Sequence, residues 1–570
     1  MFQSIFRTKP IDVINAEEQK EELRLELGLW DLIAIGVGGT VGSGVFATTG
    51  DIISGAVGPA AFLSCMIAGV SCILSGFAYM EMSSLVPSSG STYAYAYHVL
   101  GELPAAIAAR LLTLEYGMSG AGVARSWAAK VQEWAQEGGG HYAWLNDDSF
   151  NFLGCLVVVV SMLILLAGLR FGKFFINAIT VTKVAVVLFI IIAGFAATKS
   201  SNFSPFVPER IDGAFGVQGV FLGASQAFFG FVGFDEVCCM AAETRNPRSI
   251  MPRAVIGTIL GTMFLSCFAS LALSGMLPYD VNANRSEENA IPYSFAGGFD
   301  YVGYSAAKLI VHIGETGTMP IVVFIAFLAQ PRLLYAMSVD GLLPQVFSQV
   351  DSNGNLFWGT LLSGTALALV ALFEPFATLW NMVSFGILVS FIMTNSALIV
   401  VRTRESSPQK SYSLTGTIVA LSCAAMFVFQ KSYVDRDSAA GLVISMVFLA
   451  ATFGVAAVIF FTCPENQGEP NMFRAPLVPF VPMLAIVVNW YLIPQLNEKD
   501  IARGCIWIAA AIVSYFLYGF RNSAGRTGWV KTLNHDVLCL NEVRPSMNYM
   551  VGTGDLKANP LHSPSKALLN

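Results

Sequence analysis

From Leu29 almost to Phe520 the chain is a succession of apolar runs, most of roughly 18 residues or more, broken by short polar segments. Each run is long enough to cross a hydrocarbon layer about 30 Å thick as a helix. The pattern predicts about fourteen spans, near 29–50, 58–82, 104–127, 151–169, 174–198, 214–243, 252–277, 303–330, 357–373, 376–401, 413–430, 440–462, 477–495 and 503–520. An even number puts both termini on one side. Residues 1–28 are polar and charged, without the apolar stretch of a cleavable signal peptide. Within them Glu17–Glu26 reads as an interfacial helix. Residues 521–570 are mixed, carry Pro and Ser, and read as a disordered tail.

Composition agrees with a polytopic, all-α membrane protein. Of 570 residues, 55% are hydrophobic and only 12% charged, and the mean hydropathy is +0.62. Soluble domains carry about twice that charged fraction. The net charge of −6 says less than the placement of the cations. With the N-terminus inside, roughly 20 Lys and Arg fall on the cytoplasmic side and about 10 outside, which predicts cytoplasmic termini. The groups Arg245, Arg248, Arg253 and Arg402, Arg404, Lys410 carry much of that asymmetry. The ten cysteines are scattered, and Cys65, Cys72, Cys155, Cys267 and Cys423 lie within predicted spans, so buried free thiols are expected rather than disulfides or a metal site. Glycosylation sequons at Asn202 and Asn284 fall in predicted external loops. Five His residues with no metal-ligand spacing argue against a membrane-embedded enzyme. No cofactor and no nucleic-acid partner is expected.

Five glycines fall in nine residues, Gly36–Gly44, within "IGVGGTVGSGVF" (Ile35–Phe46) of the first span. Glycine in a helix interior costs roughly 1 kcal/mol relative to alanine, so this density needs a cause. Residues Gly42–Ala47 match the dinucleotide fingerprint G-x-G-x-x-A, but without the strand and following helix that the motif requires. Close helix packing through small residues is a second reading. The favoured reading is an interruption of the helix, where free N–H groups at one half-helix and free C=O groups at the other can bind a zwitterion. That reading predicts a second interruption in a repeated position. In the sixth span "FFGFVGFDEV" (Phe228–Val237) again puts glycines mid-run, with Asp235 beside them. First and sixth spans are the pair that a five-plus-five inverted repeat interrupts.

These segments, together with "YMEMSSLVPSSGSTYAYAY" (Tyr79–Tyr97), "FVGFDEVCCMAAETRNPRSIMPRAV" (Phe231–Val255), "QPRLLYAMSVDGLLP" (Gln330–Pro344) and "FRAPLVPFVPMLAIVVNWYLI" (Phe473–Ile493), resemble the amino acid–polyamine–organocation superfamily. Within it they are most similar to the cationic amino acid transporters and their bacterial proton-coupled relatives. The resemblance runs in order from about Leu27 to Ser523. It implies a LeuT-type ten-helix transport core at 29–401, four additional spans at 402–520, and alternating access. It implies that Val41, Gly42, Ser43 and Gly44 receive a substrate α-carboxylate. Carbonyls around Phe231 and Gly233 take the α-ammonium. Phe228, Phe229, Phe231 and Phe234 are candidates for an aromatic gate, with core packing as the plainer reading. The expected substrate is an L-amino acid, cationic in the first instance (arginine or lysine), with small neutral amino acids or a non-transporting sensor as alternatives. A polyamine ranks last, because it lacks the carboxylate. The expected setting is a multi-pass protein among membrane lipids, in the plasma membrane or a lysosomal or vacuolar one. The fourteen-span count argues against an obligate single-span partner subunit.

Ionisable residues inside spans are functional suspects, since each costs roughly 2.5–3.5 kcal/mol on insertion scales. By resemblance Lys183, in the fifth span, takes the place of a sodium ion and couples transport to protons, bridging first-span carbonyls near Gly38 and Gly42. Its plainer role is an ion pair with Glu115. The eighth span has no Ser or Thr after Thr318 to complete an ion-like site, a departure from that pattern. Glu315 and Met319 are four apart and share a helix face. By resemblance Met319 looks into the side-chain pocket, where its thioether shortens the space, while Glu315 offers an anion to a cationic side chain. A partner such as Lys308 is the plainer reading for Glu315. Glu115 fits contact with substrate or with Lys183. Glu81 and Tyr93 are expected at the inner gate. Asp235 and Glu243 fit either relay and gating roles or capping and pairing with Arg245 or Arg248.

Overall fold

A backbone in hydrocarbon must satisfy its own hydrogen bonds, and an apolar run does so most directly as a helix. The computed structural model describes residues 5–20, 27–137, 150–167, 173–210, 214–231, 233–283, 291–351, 355–405, 407–465 and 472–529, and among these every extended element is helical. The one β-type pairing among them is an isolated parallel bridge between Leu27 and Thr244.

The chain runs α1 (Ile11–Lys20), α2 (Leu29–Thr40), a π-helical turn (Val41–Phe46), α3 (Ala47–Ile52), α4 (Ala61–Leu85), α5 (Thr92–Val99), α6 (Glu102–Thr113), a second π turn (Leu114–Met118) and α7 (Ser119–Glu137). It continues through α8 (Phe152–Leu166), α9 (Lys173–Ala196), α10 (Gly216–Ala227), a 3₁₀ turn (Phe228–Phe231), α11 (Phe234–Cys239) and α12 (Pro247–Met276). Then come α13 (Phe295–Tyr301), α14 (Ser305–Val339), α15 (Phe357–Phe373) and α16 (Phe376–Thr403). The chain goes on through α17 (Pro408–Val428), α18 (Ala439–Thr462), α19 (Phe480–Leu492) and α20 (Glu498–Ser514). By length and composition nine described helical stretches can cross a membrane, and one of them, Leu29–Leu85, is 57 residues long, enough for two passes. Three shorter apolar helices lie at Phe152–Leu166, Phe357–Phe373 and Phe480–Gln495.

Burial sorts these helices into centre and rim. In α16 the most apolar window is 89% buried and in Gly216–Cys239 it is 71% buried, whereas in α18 it is 22% buried. A helix that is apolar on all sides yet mostly uncovered presents that surface to lipid, so α17, α18 and α20 form the rim. At the centre the first span packs against α9 and α12, α4 against α10 and α12, and α7 against α14. Gly44 and Gly230 cross backbone to backbone: a Cβ on Gly44 would stand 2.2 Å from the Gly230 Cα. Small residues here bring the first and sixth spans into backbone contact.

Both ends of the described chain meet on one face. Lys9 pairs with Asp340 at the end of α14 (2.6 Å), and the Ala524 N–H donates to the Asp340 carbonyl (2.9 Å). At the Asn202 sequon the side chain is nearly buried, 9% exposed, and its Nδ2 donates to the Gly275 carbonyl (2.8 Å). Asn284, residues 21–26 of the expected interfacial helix, and most of the expected tail (530–570) lie outside the described residues. Cysteines are free among the described residues, six of them buried.

Candidate functional site

The first span does not unravel into extended chain. Its interruption is the π turn Val41–Phe46, flanked by residues that keep right-handed helical angles. A π turn widens the helix by one residue and breaks the i→i−4 ladder, the kind of bulge found at functional sites. Val41, Gly42 and Gly44 are buried, and the turn lies against the 3₁₀ segment Phe228–Phe231. The Ser43 side chain lies outside the described atoms. A Cβ on Gly42 would stand 2.3 Å from Val322 of α14, and one on Gly38 would stand 2.3 Å from the Thr180 hydroxyl of α9. The Gly44 carbonyl accepts from the Thr48 hydroxyl (2.7 Å).

The sixth span is interrupted more sharply. After Phe228–Phe231 the chain turns through Gly233, whose φ of +141° favours glycine, and restarts as α11. The Gly233 carbonyl accepts the Val237 N–H (3.0 Å), and its N–H donates to Asp235 Oδ1 (3.4 Å). Two carboxylates in the first turn of α11, Asp235 and Glu236, favour the positive end of that short helix. Phe228 and Phe234 both pack on Phe391 of α16, at 6.1 and 5.2 Å, and Phe234 also meets Tyr79 of α4 at 5.4 Å. Phe229 meets Phe376 at 6.0 Å. These rings seat the sixth span on its scaffold; Phe231 is buried beside them.

Lys183 projects from α9 and donates from Nζ to the Gly38 carbonyl (2.9 Å), one turn before the π turn. It is 1% exposed, and among the described residues it pairs with no carboxylate. Glu115, in the second π turn, lies instead in the field of Asp235 and Glu236. Glu236 also lines a small cavity with Gly39, Ser119, Val123 and Val322, between the first, third, sixth and eighth spans. Sequence reading singled out Asp235 and passed over its neighbour Glu236, which the α11 restart turns toward the cavity.

Going along α14 toward the end opposite the termini, Val322, Met319 and Glu315 follow on one face. Met319 and Glu315 are fully buried. Glu315 Oε2 faces Lys130 Nζ of α7 at 3.8 Å, while Lys308, the partner considered from sequence, pairs with Asp300 at 3.0 Å. The third span was expected to stop near residue 127, but α7 continues to Glu137, and that extension carries Lys130 to Glu315.

At the end shared by the termini, Tyr93 donates its hydroxyl to Asp340 Oδ2 (2.6 Å), and Lys9 and Glu17 complete the cluster. Burial works against the Lys9 charge, but Asp340 and Glu17 outweigh it and hold the Lys9 pKa above its ordinary value. Glu81 forms a two-pronged pair with Arg402 of α16, one contact being Nη2 to Oε2 at 2.7 Å, and it also accepts the Ala475 N–H (2.7 Å). Glu243 pairs with Arg332 of α14 (2.8 Å) rather than with Arg245 or Arg248. Asp340, Arg332 and Arg402 all stand in segments the sequence marks out, yet their partners lie far along the chain and periodicity does not reveal them.

An interrupted pair of spans, a membrane-depth lysine on a helix carbonyl and a buried carboxylate group stand together inside a helical bundle as the candidate site. Residues 27–441 match the amino acid permease family, and residues 473–523 match the C-terminal segment of amino acid permeases. The chain is 33% identical to the methylthioribose transporter of Bacillus subtilis, covering 91% of this chain and 99% of that one. It is 30% identical to cationic amino acid transporter 1 of Arabidopsis thaliana, covering 91% and 87%. It is 28% identical to the branched-chain amino acid permease BcaP of B. subtilis, covering 91% and 98%. The chain therefore belongs to the amino acid permease family, in the cationic amino acid transporter branch of the amino acid–polyamine–organocation superfamily, and is a multi-pass membrane protein of amino acid transport, not an enzyme.

Proposed function

We propose that this chain is a proton-coupled carrier of L-α-amino acids working by alternating access. The observation that carries the reading is the Lys183 ammonium on the Gly38 carbonyl, 2.9 Å away and beside the first-span interruption. In this reading Val41, Gly42, Ser43 and Gly44 receive the α-carboxylate and carbonyls around Phe231 and Gly233 take the α-ammonium, each through charge-assisted hydrogen bonds. Protonated Lys183 holds the first span to α9; as the neutral amine it releases the carbonyl and frees the span to rearrange. A lysine in a dry site, held by a carbonyl alone, is the type of group that can give up its proton there. The ten-helix core spans 29–401 in an inverted repeat, the remaining spans flank it, and both termini are cytoplasmic at the plasma or vacuolar membrane.

Two side-chain classes fit such a carrier. A cationic one, the first expectation from sequence, needs Glu315 as its anchor. A small uncharged one suits a pocket closed by Met319, and the burial of that thioether between Val322 and Glu315 favours this class.

Uptake into proteoliposomes with and without an inward proton gradient tests the coupling. Lys183→Ala should retain amino acid exchange and lose stimulation by the gradient. A gradient response of wild-type size in that variant would remove Lys183 from the mechanism.

A further inference from the structure

The side-chain end of the pocket is built from two antiparallel faces. On α7, Ser119, Val123 and Lys130 fall at spacings of four and seven and so share one side of the helix. On α14, Glu315, Met319, Val322 and Ala326 do the same. Ser119, Val123, Val322 and Ala326 line the central cavity. Glu315 is seven residues from Val322, about 10 Å along the helix, within reach of a long substrate side chain only.

Glu315 is fully buried, and among the described residues neither of its oxygens has a hydrogen-bond partner. Its charge faces the Lys130 ammonium at 3.8 Å, and the Lys130 side chain is itself only 13% exposed. Lys130 also faces Glu133 at 3.8 Å, one turn along α7, and Asp51 of α3 lies within its field. Glu133 accepts the Ser294 hydroxyl at the start of α13 (2.6 Å). The Trp127 indole, on α7 just before Lys130, donates to the Thr316 carbonyl (2.8 Å) and pins the two helices together beside the pair. A carboxylate kept ionised in a dry site needs a cation beside it, and Lys130 is placed to serve Glu315 in that way.

Resting on the carrier reading above, we infer that Lys130 is a built-in counter-cation of Glu315 that excludes cationic side chains, so the pocket takes amino acids with small uncharged side chains. An arginine or lysine side chain reaching Glu315 would meet the Lys130 ammonium at close range and be repelled. An alanine-sized side chain ends short of Met319 and leaves the pair undisturbed. Lys130 is thus a specificity-determining residue. Without it, Glu315 becomes the cation site that the sequence alone suggests.

The test is competitive uptake of labelled arginine and alanine by purified protein in proteoliposomes. Wild type should prefer alanine. Lys130→Met, similar in length and uncharged, should raise the arginine-to-alanine ratio at least tenfold, and adding Glu315→Gln should bring the ratio back to that of wild type. The inference is overturned if Lys130→Met carries alanine and leaves the ratio within twofold, or if wild type prefers arginine. Should Lys130→Met alone fail to fold because it strands the buried carboxylate, the charge-free pair Lys130→Met/Glu315→Gln decides. A wild-type ratio in it supports the inference, and a tenfold fall in arginine uptake relative to alanine assigns Glu315 to substrate and overturns it. If wild type carries neither amino acid, the carrier reading itself fails, a result distinct from any of these.

Discussion

At Gly44 and Gly230 two backbones touch, and no side chain fits between them. Either glycine replaced by alanine must push the first and sixth spans apart. Overpacking of this sort costs about 1–3 kcal/mol, and here it falls on the proposed substrate site, so Gly44→Ala or Gly230→Ala should abolish uptake and lower the melting temperature. Gly55, with nothing within 4 Å of its would-be Cβ, is the control, and Gly55→Ala should be within about 0.5 kcal/mol of wild type. The glycines were legible in the sequence because their density is costly in a helix. What they pack against was not, since Val322, Thr180 and Gly230 come from other spans. Both readings of the glycines hold together: they bring the helices into contact and they bracket the interruption. Partners of charged residues were equally hidden. Glu315 finds Lys130, Glu243 finds Arg332, and Glu81 finds Arg402, none of them near in sequence.

Among the elements, the two interruptions differ in kind. The first span keeps helical angles through a π turn, and the sixth breaks outright at Gly233, so sequence reading located both while the form of the first came only from the fold. Element ends were the weaker part of the reading: α7 runs to Glu137, and the polar character of its last turns concealed a helix that carries Lys130. Pairing of α4 with α16 depends on a buried ion pair, Glu81 with Arg402, both about 5% exposed or less. Removing one partner leaves a charge stranded, a loss of about 3–5 kcal/mol, whereas removing both is far milder. Arg402→Met should therefore lower stability sharply in thermal unfolding, and Glu81→Met/Arg402→Met should recover much of it. Equal losses in the single and double variants would mean that the pair does not hold these helices together.

For the whole molecule, the meeting of both ends on one face ties transport helices to the segments outside them. His98 sits in that meeting point, with Nδ1 at 2.9 Å from the Lys9 carbonyl and the Arg404 guanidinium at 3.2 Å from Nε2. The carbonyl requires a proton on Nδ1 and the guanidinium requires a lone pair on Nε2, which is the neutral ring. Burial lowers the His98 pKa, and Arg404 lowers it further despite the Lys9 carbonyl. A base held below its ordinary value of 6.5 binds its proton more readily when unfolded, so its contribution is intact above about pH 6.5 and is lost as pH falls through the lowered value. Melting temperatures between about pH 5 and 8 should fall on acidification, and His98→Gln, which can donate and accept in the same places, should flatten that slope. The same arrangement places residues 5–20 and 523–529 on one side and the turn at 435–438, beyond the length of α17, on the other. Labels near the two ends should react from the same side of a sealed membrane, and a label at 436 from the opposite one. The helical membrane class was legible from apolar run length alone, because lipid leaves the backbone few choices. The packing of rim against centre was not, since α18 and α16 are both apolar and differ in what covers them.

Accumulation of labelled alanine by the wild-type protein in proteoliposomes under an inward proton gradient, challenged with unlabelled ethylamine and propionate, addresses the central claim that the interrupted spans bind both ends of an α-amino acid. A site of two opposed half-sites predicts gradient-driven accumulation that other α-amino acids inhibit and that neither the amine nor the acid inhibits at the same concentration. No accumulation, or inhibition by either fragment as strong as by an amino acid, would contradict it.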